Sequence, residues 1–276
     1  SAFAAMNSGQ KGYFLLSSSG NPQLLAKIQN PSESFSVWHK ENSDIFTFLN
    51  DAKIYQLNIS TKASIELASD AQNYIAIENK TFYIQKKSGL IYSVSDPWTT
   101  LSPGLKFTDQ FTKTPIPSFS ADKNYSLFEL SEKEILITDS DNSLFIAKSQ
   151  EIKQLSQKIS GFDISPSKNN VLIFDSHEIN IINKNSDDYL KELVSRTEQA
   201  IKKAFWFDDA HIAYLLSDGS FYITELDSRN GRNILAPLSD KIDDFWINCD
   251  KNLDFPIMNY ISNNQLVKVI WNNSPL

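Results

Sequence analysis

Aromatic residues recur along this chain at intervals of about forty residues, and this repeat constrains the fold more than any other feature. The repeated positions are, in chain order, Phe35, Tyr74, Phe119, Phe162, Phe205 and Phe245. Each lies in a short apolar run, and a second apolar run follows it after polar residues that favour turns. The pattern predicts a strand, a turn and a strand in every repeat.

A third apolar run follows in each repeat, most clearly after Ser217-Asp218-Gly219, where Asp-Gly favours the positive φ angles of a tight hairpin turn. Fourth runs are weaker: KASIELA, YLKELV and RNILAPL, and in the third repeat either SLFIAK or the stretch after it. Four strands in about forty residues are typical of one propeller blade. The sequence therefore predicts an all-β fold, a β-propeller of about six four-stranded blades, with seven as the alternative.

The two chain ends predict how the propeller closes. Two apolar runs, GYFLLSSS and PQLLAKI, precede the first repeat, and the last repeat stops after its third run. A blade buries its faces only between neighbours, so closing the ring removes exposed ends. We expect the N-terminal strand Gly12–Ser17 to complete the last blade beside Gln265–Trp271. Two N-terminal runs are one more than six blades need, which keeps seven blades open.

We expect one propeller domain over residues 1–276, with residues 1–11 as a flexible edge. Residues 1–6, SAFAAM, lack the basic start and the full apolar stretch of a signal peptide. Residues 186–204 could form a helix, but the repeat register favours an outer strand followed by a loop. Residues 97–117 contain four prolines and predict a long inter-blade loop. Its aromatic residues either pin the loop to a blade or form a protruding contact surface; they are Trp98, Phe107 and Phe111.

Composition excludes several classes of protein. A formal net charge of -7 argues against nucleic acid as a partner, because phosphate binding needs clustered cations. The single cysteine, Cys249, allows no intrachain disulfide and no cysteine-based metal site. No run of 18 apolar residues occurs, so we expect no membrane span within this chain.

The segment Val194–Leu235 carries a resemblance to a known repeat. Its matching features are the Ile201-Lys202-Lys203 approach, the Phe205-Trp206 strand, the Asp208-Asp209 turn and the exit from Glu225 to Asn230. Residues 161–166, GFDISP, match the same strand in another blade. In these two blades the chain resembles bacterial TolB-like and WD40-like propeller repeats, of the kind that accompanies PEGA domains. The Gly-His and Trp-Asp pairs of eukaryotic WD40 repeats are absent.

This resemblance implies a binding scaffold with no conserved catalytic site. It also implies a longer, anchored protein of the extracytoplasmic bacterial cell envelope. The domain itself is expected to be monomeric and to bind a protein partner.

Chemical motifs are scarce. The three histidines, His39, His177 and His211, fall in different blades without ligand spacing, and no nucleophile or phosphate-binding motif occurs. We therefore expect no cofactor or metal, and a non-enzymatic interaction or sensor scaffold. The alternative is a glycan-active or hydrolytic propeller in which acids from different blades meet at the central channel.

The candidate interaction face follows from propeller topology. Turns between second and third strands, and connections between blades, emerge at the same end, where loops converge. The predicted face comprises Asp51, Glu132, Asp175, Asp218 and Asn263 from turns, and Asp70, Gln199, Asp240 and Asp243 from connections. Its acidic character predicts a partner with a basic patch.

Overall fold

The computed structural model describes residues 2–7, 10–15, 23–27, 36–38, 44–98, 106–131, 133–148, 150–184, 189–229, 231–238, 240–248 and 256–270. Every regular element in these residues is a β-strand. The strands form antiparallel sheets that fall into two compact units, residues 1–140 with 144–154, and residues 141–143 with 155–276.

The first unit contains four sheets, each with its strands in chain order. The first sheet is β1 (Ala2–Asn7), β2 (Gln10–Leu15) and β3 (Gln23–Lys27). The second is β4 (Ser36–Trp38), β5 (Ile45–Asn50), β6 (Lys53–Asn58) and β7 (Ala63–Ala68). The third is β8 (Ala71–Ile77), β9 (Lys80–Gln85), β10 (Ile91–Ser95) and β11 (Thr108–Gln110). The fourth is β12 (Tyr125–Ser131), β13 (Glu134–Asp139), β14 (Leu144–Lys148) and β15 (Glu151–Ser156), whose last two residues belong to the second unit.

The second unit contains three sheets. The first is β16 (Gly161–Ile164), β17 (Asn170–Phe174), β18 (Glu178–Asn183) and β19 (Lys191–Arg196). The next is β20 (Ile201–Trp206), β21 (His211–Leu216), β22 (Phe221–Glu225) and β23 (Ile234–Leu235). The last has three strands, β24 (Asp244–Asn248), β25 (Ile257–Ser262) and β26 (Gln265–Ile270).

These sheets are the predicted blades, and the fold is a β-propeller. Short antiparallel sheets with strands in chain order, repeated along the chain, define this class. The six predicted repeats correspond to the six sheets from β4 to β26, and β1–β3 adds a seventh among the described residues. The expectation of a single domain stays a prediction.

Strand β21 shows why blades need neighbours on both faces. Residues 212–216 are all buried, although successive side chains of a strand point to opposite faces. Ile212 and Tyr214 enter a cluster with Trp206, whereas Ala213 and Leu215 enter the cluster that contains Phe245. A continuous apolar run in this position therefore reflects a sheet that is covered twice.

The third repeat departs from the predicted register. Phe119 lies in a connection rather than in a first strand, and its ring stacks on Tyr125 with centroids 5.4 Å apart. The same ring fills the space beside Gly89, where an added Cβ would come within 2.3 Å of Phe119 Cγ. The first strand of this sheet is instead β12, the run predicted as second, and the stretch after SLFIAK supplies the fourth strand.

Of the other aromatic positions, four lie in first strands as predicted: Tyr74 in β8, Phe162 in β16, Phe205 in β20 and Phe245 in β24. Phe35 lies outside the described residues. Tertiary packing overrode the spacing at Phe119 because an aromatic ring can fill a void from a loop as well as from a strand.

The predicted closure by the strand from Gly12 is wrong. Strand β2 is the central strand of its own sheet, with β1 on one edge and β3 on the other, so it has no free edge for Gln265–Ile270. Residues 16, 17 and 271 lie outside the described residues. The strand missing from the prediction is β1, in the segment expected to be a flexible edge.

Two ambiguous segments are resolved by the structure. Residues 191–196 form the outer strand β19, followed by a connection, as the repeat register predicted, and not a helix. The long loop over residues 97–117 contains a short strand, β11, which pairs with β10 through Tyr92 and Gln110. This strand is the fourth of its sheet and went unrecognised because its residues are fully polar.

Candidate functional site

Two of the turns between second and third strands contain consecutive residues with a positive φ. Asn263 and Asn264 have φ of 51° and 60°, and Asp51 and Ala52 have φ of 53° and 55°. Two consecutive residues in this region are typical of the tight turn that matches the twist of a β-hairpin. Asp and Asn at these positions therefore have a conformational reason to be there, independent of any function.

Backbone hydrogen bonds join these turns to the connections between sheets in the second unit. Each connection contacts a turn of the sheet before it, of the sheet after it, or of both. In each of these bonds the backbone N–H of the first residue donates to the backbone carbonyl of the second. The pairs are Ile159 to Asn142 (3.0 Å), Ser160 to Phe174 (2.8 Å), Ile201 to Ser176 (2.7 Å), Ser217 to Ala200 (2.7 Å), Ile242 to Gly219 (3.0 Å) and Asp243 to Ile261 (2.7 Å). We call this surface the turn row; it comprises residues 141–143, 157–160, 175–177, 197–200, 217–220, 240–243 and 262–264.

The first unit repeats the arrangement. The N–H of Ala71 donates to the carbonyl of Ala52 at 2.8 Å, and the N–H of Lys86 donates to the carbonyl of Asp70 at 2.7 Å. The connection at residues 70–71 thus bridges two successive turns. In each unit, turns and connections meet at one end of the sheets.

The structure places most of the predicted face residues in solvent. Asp51, Gln199, Asp218, Asp240, Asp243 and Asn263 are exposed, and Asp70 and Asp175 are half-buried. Glu132 lies outside the described residues, but the strands on either side of it, β12 and β13, are the first and second of their sheet and not the second and third as predicted. The turn row brings together the predicted residues of the second unit, namely Asp175, Gln199, Asp218, Asp240, Asp243 and Asn263.

Two lysines that contact the turn row, Lys241 within it and Lys202 in β20, were not predicted from the sequence. Lys241 Nζ lies 2.7 Å from Asp218 Oδ2, and this hydrogen bond lowers the pKa of the Asp218 carboxyl to about 2. Lys202 donates to the backbone carbonyl of Asp243. The carboxylates of Asp240 and Asp243 form no hydrogen bond or ion pair with any described residue. Asp240 and Asp243 therefore place two unpaired acidic charges on the connection before β24.

The three aromatic residues of the long loop do different things. Phe111 packs edge-on against Phe82, with ring centroids 5.0 Å apart, and so pins the loop to its sheet. Phe107 is 60% exposed. Trp98 is half-buried, and its backbone N–H donates to Asp96 Oδ1 at 2.8 Å. Only Phe107 retains the exposure that a protruding contact surface requires.

Asp163 is the acid that most resembles a catalytic group, because burial raises the pKa of its carboxyl to about 6. Its Oδ2 accepts the backbone N–H of Trp206 at 2.9 Å, and its Oδ1 accepts that of Ile164 at 2.9 Å. The indole Nε1 of Trp206 donates in turn to the carbonyl of Asp163 at 3.3 Å. These bonds tie β16 to β20 and give Asp163 a structural role.

The described histidines have local partners. His177 Nδ1 lies 3.1 Å from the carbonyl of Thr197, and His211 Nδ1 lies 2.9 Å from Asp208 Oδ1. His39 is outside the described residues. Across the described part of the chain, no three metal-ligating side chains come together. The same residues include no helix long and apolar enough to cross a membrane.

Comparison with known proteins shows the fold but not a family. No family model matches the chain, and no curated protein matches it. The N-terminal domain of Nup159 is similar to it, with a TM-score of 0.50 and 11% identity over 85% of this chain and 72% of that one. The Myceliophteria thermophila Cps50 (Swd1) β-propeller domain has a TM-score of 0.42 and 9% identity, over 86% and 82% of the two chains. YCF48 bound to D1 peptide has a TM-score of 0.46 and 10% identity, over 83% and 78%.

At such low identity, the likeness to the Nup159 domain bears on the fold alone, and it agrees with the propeller that the strand order defines. The narrower resemblance to TolB-like and PEGA-associated propellers stays a prediction.

Proposed function

We propose that this protein is a non-enzymatic scaffold that binds another protein through the turn row of its second unit. The observation that carries the proposal is the set of backbone hydrogen bonds that fastens successive turns and connections to one another. A surface that is already ordered loses little conformational entropy when a partner binds. Loops held in this way by a rigid sheet scaffold are common binding surfaces.

The chemistry of the row supports a partner with a basic patch. Asp240 and Asp243 are exposed, and their carboxylates are unpaired among the described residues. Asp218 contributes less than its exposure suggests, because Lys241 neutralises it. Attraction between exposed charges falls with added salt, since screening acts within about 10 Å at 0.1 M ionic strength.

The geometry around Asp163 supports the non-enzymatic part of the proposal. A general acid must reach its substrate, but both carboxylate oxygens of Asp163 accept backbone N–H groups inside the protein. The envelope location that the sequence resemblance implies is part of the same proposal, and fractionation of the source cells would test it.

The experiment is affinity capture from an extract of the source organism, with the variant Asp240→Lys/Asp243→Lys beside the unaltered protein. The matched control is Glu151→Lys/Asp227→Lys, which makes the same change in charge at exposed positions near turns between third and fourth strands. We expect a protein that the unaltered chain and the control retain, and that the turn-row variant and high salt release. Equal retention by both variants would contradict the proposal.

A further inference from the structure

The third strand of the last sheet is exposed where its counterparts in the second unit are buried. In β18, Ile179 is 0% exposed, and in β22, Phe221 is 2% exposed. In β26, Leu266 is 67% exposed and Ile270 is 55% exposed. An apolar strand is rarely left in this state without a partner.

These apolar side chains share one face of the sheet. In the antiparallel register Trp246 lies opposite Asn259, which lies opposite Lys268, while Leu266 lies opposite Ile261. Residues opposite each other point to the same side, as do residues two apart along a strand. We call this the open face; it comprises Trp246, Asn259, Ile261, Leu266, Lys268 and Ile270. The other face carries Phe245 and Met258, both fully buried in the core.

The edge of the same strand has free backbone groups. Among the described strands β26 pairs with β25 alone, and a two-residue turn at Asn263-Asn264 joins them. In such a hairpin the backbones of Ser262 and Gln265 hydrogen-bond to each other. Along β26, residues whose N–H and C=O groups face β25 then alternate with residues whose N–H and C=O groups face away from it. The N–H and C=O groups of Leu266, Lys268 and Ile270 therefore point away from β25. The open edge and the open face belong to the same three residues.

Lys268 decides what kind of strand fits there. It lies between the two exposed apolar residues and forms no ion pair or side-chain hydrogen bond with any described residue. Two copies of β26 paired antiparallel about Lys268 would place the ammonium groups side by side, which is how edge lysines prevent self-association. A carboxylate in the same place would be attracted instead.

We propose that β26 accepts an extended segment of a partner protein as a fourth, antiparallel strand. The segment places apolar side chains beside Leu266 and Ile270, and an aspartate or glutamate between them beside Lys268. Main-chain hydrogen bonds to the edge supply affinity, and the alternating side chains supply specificity, as in other strand-addition interfaces. This site is distinct from the turn row, so either can fail without the other.

The test uses the full chain and a fluorescent peptide, Thr-Val-Thr-Glu-Thr-Val-Thr, with fluorescence anisotropy as the readout. A second peptide has lysine in place of glutamate. We expect the glutamate peptide to bind about tenfold more tightly than the lysine peptide, which corresponds to about 1.4 kcal/mol. In the Lys268→Glu variant the preference should reverse.

Two controls separate strand addition from simple charge attraction. A glutamate peptide that is N-methylated at the amides facing β26 should lose its binding, because it cannot donate to the edge. The Asp240→Lys/Asp243→Lys variant should bind the peptide as the unaltered protein does. Absence of saturable binding, equal binding of the two peptides, or binding of the methylated peptide would overturn the proposal. A concentration-dependent dimer that excludes the peptide would assign the edge to a second copy.

Discussion

Strands β20 and β24 carry the same aromatic pair, Phe-Trp, yet they bury opposite members of it. In β20, Trp206 is 1% exposed and Phe205 is half-buried. In β24, Phe245 is 0% exposed and Trp246 is 41% exposed. Because side chains alternate along a strand, a shift of one residue sends each to the opposite face. The shared dipeptide therefore identifies the strand but does not determine its orientation.

Neighbouring sheets explain the difference. Trp206 packs with residues of β17–β19 on one face of its sheet, and Phe205 packs with Phe245 on the other, with ring centroids 5.3 Å apart. Phe245 also contacts Phe221 edge-on, at 5.0 Å between centroids. Phe245 fills the face of β24 that packs against the β20–β23 sheet. Trp246, the next residue of the strand, therefore lies on the open face. Burial of an aromatic residue in this fold depends on which sheets flank it.

The largest expected effect comes from Trp206→Ala set against Trp246→Ala. Removing a fully buried indole leaves a cavity and the loss of its hydrogen bond to Asp163, at a cost of about 3–5 kcal/mol. Removing Trp246 should cost less than about 1 kcal/mol, because its ring is already partly in water. Urea denaturation of both variants measures the difference. Equal losses of stability would contradict the opposite orientations of the two strands.

The phenylalanines should behave in the reverse order. Phe245→Ala removes a ring that touches both Phe205 and Phe221, and we expect a loss of about 3–5 kcal/mol. Phe205→Ala removes a half-buried ring and should cost about 1–2 kcal/mol. The melting temperatures of the two variants make the comparison, and a larger fall for Phe205→Ala would reverse the assignment of the core face.

Burial of the Asp163 carboxyl, which lies against Trp206, predicts a pH dependence on the β20 side of the comparison. The carboxyl pKa is about 6 in the folded protein, above the ordinary 3.8, so the folded state holds this proton more firmly. The free energy of unfolding should therefore fall as pH rises from about 4 to 6, by about 2–3 kcal/mol in order of magnitude. Asp163→Asn cannot titrate and should lose this slope.

Urea denaturation at several pH values between about 4 and 7 tests this, with unaltered protein and Asp163→Asn compared at each pH. Asp218→Asn is the matched control, because the lowered pKa of Asp218 places its titration below this window. If unaltered protein and Asp163→Asn have the same slope, the carboxyl is not the group that titrates.

Much of the fold could be predicted from sequence because each blade repeats a local pattern. Apolar runs separated by turns such as Asp-Gly or Asn-Asn are determined by residues close together in the chain. Strands β20 to β22 therefore lie where this pattern predicts them. The errors arose where distant contacts decide. Phe119 fills a space beside Gly89 in another sheet, and β1 pairs with a strand that was expected to pair at the C-terminus.

The candidate site was less predictable, because charge pairing crosses between blades. Topology brings Asp175, Asp218 and Asp243 to one end of their sheets, but it does not report that Lys241, in the connection to the next blade, pairs with Asp218. The open edge of β26 corresponds to the fourth apolar run that is missing from the last repeat. We predicted that the N-terminal strand would supply this fourth strand. Its exposure depends on which strands are absent beside it, and no local pattern reports that.

The smallest expected effect concerns the ion pair that joins the β21–β22 turn to the connection entering β24. Lys241 holds the pKa of Asp218 at about 2, below the ordinary 3.8. The pair therefore stabilises the folded state fully above about pH 4, and this contribution is lost as pH falls through about 2. Both groups are exposed, so the effect should be small and should disappear in about 1 M salt.

Asp218→Asn should slightly lower the melting temperature at neutral pH and low salt, and should match the unaltered protein near pH 2. Asp240→Asn is the control, since Asp240 has no ion pair among the described residues and its removal should leave the melting temperature unchanged. If the two variants melt alike in low salt at neutral pH, the Lys241 contact does not hold the β20 and β24 sheets together.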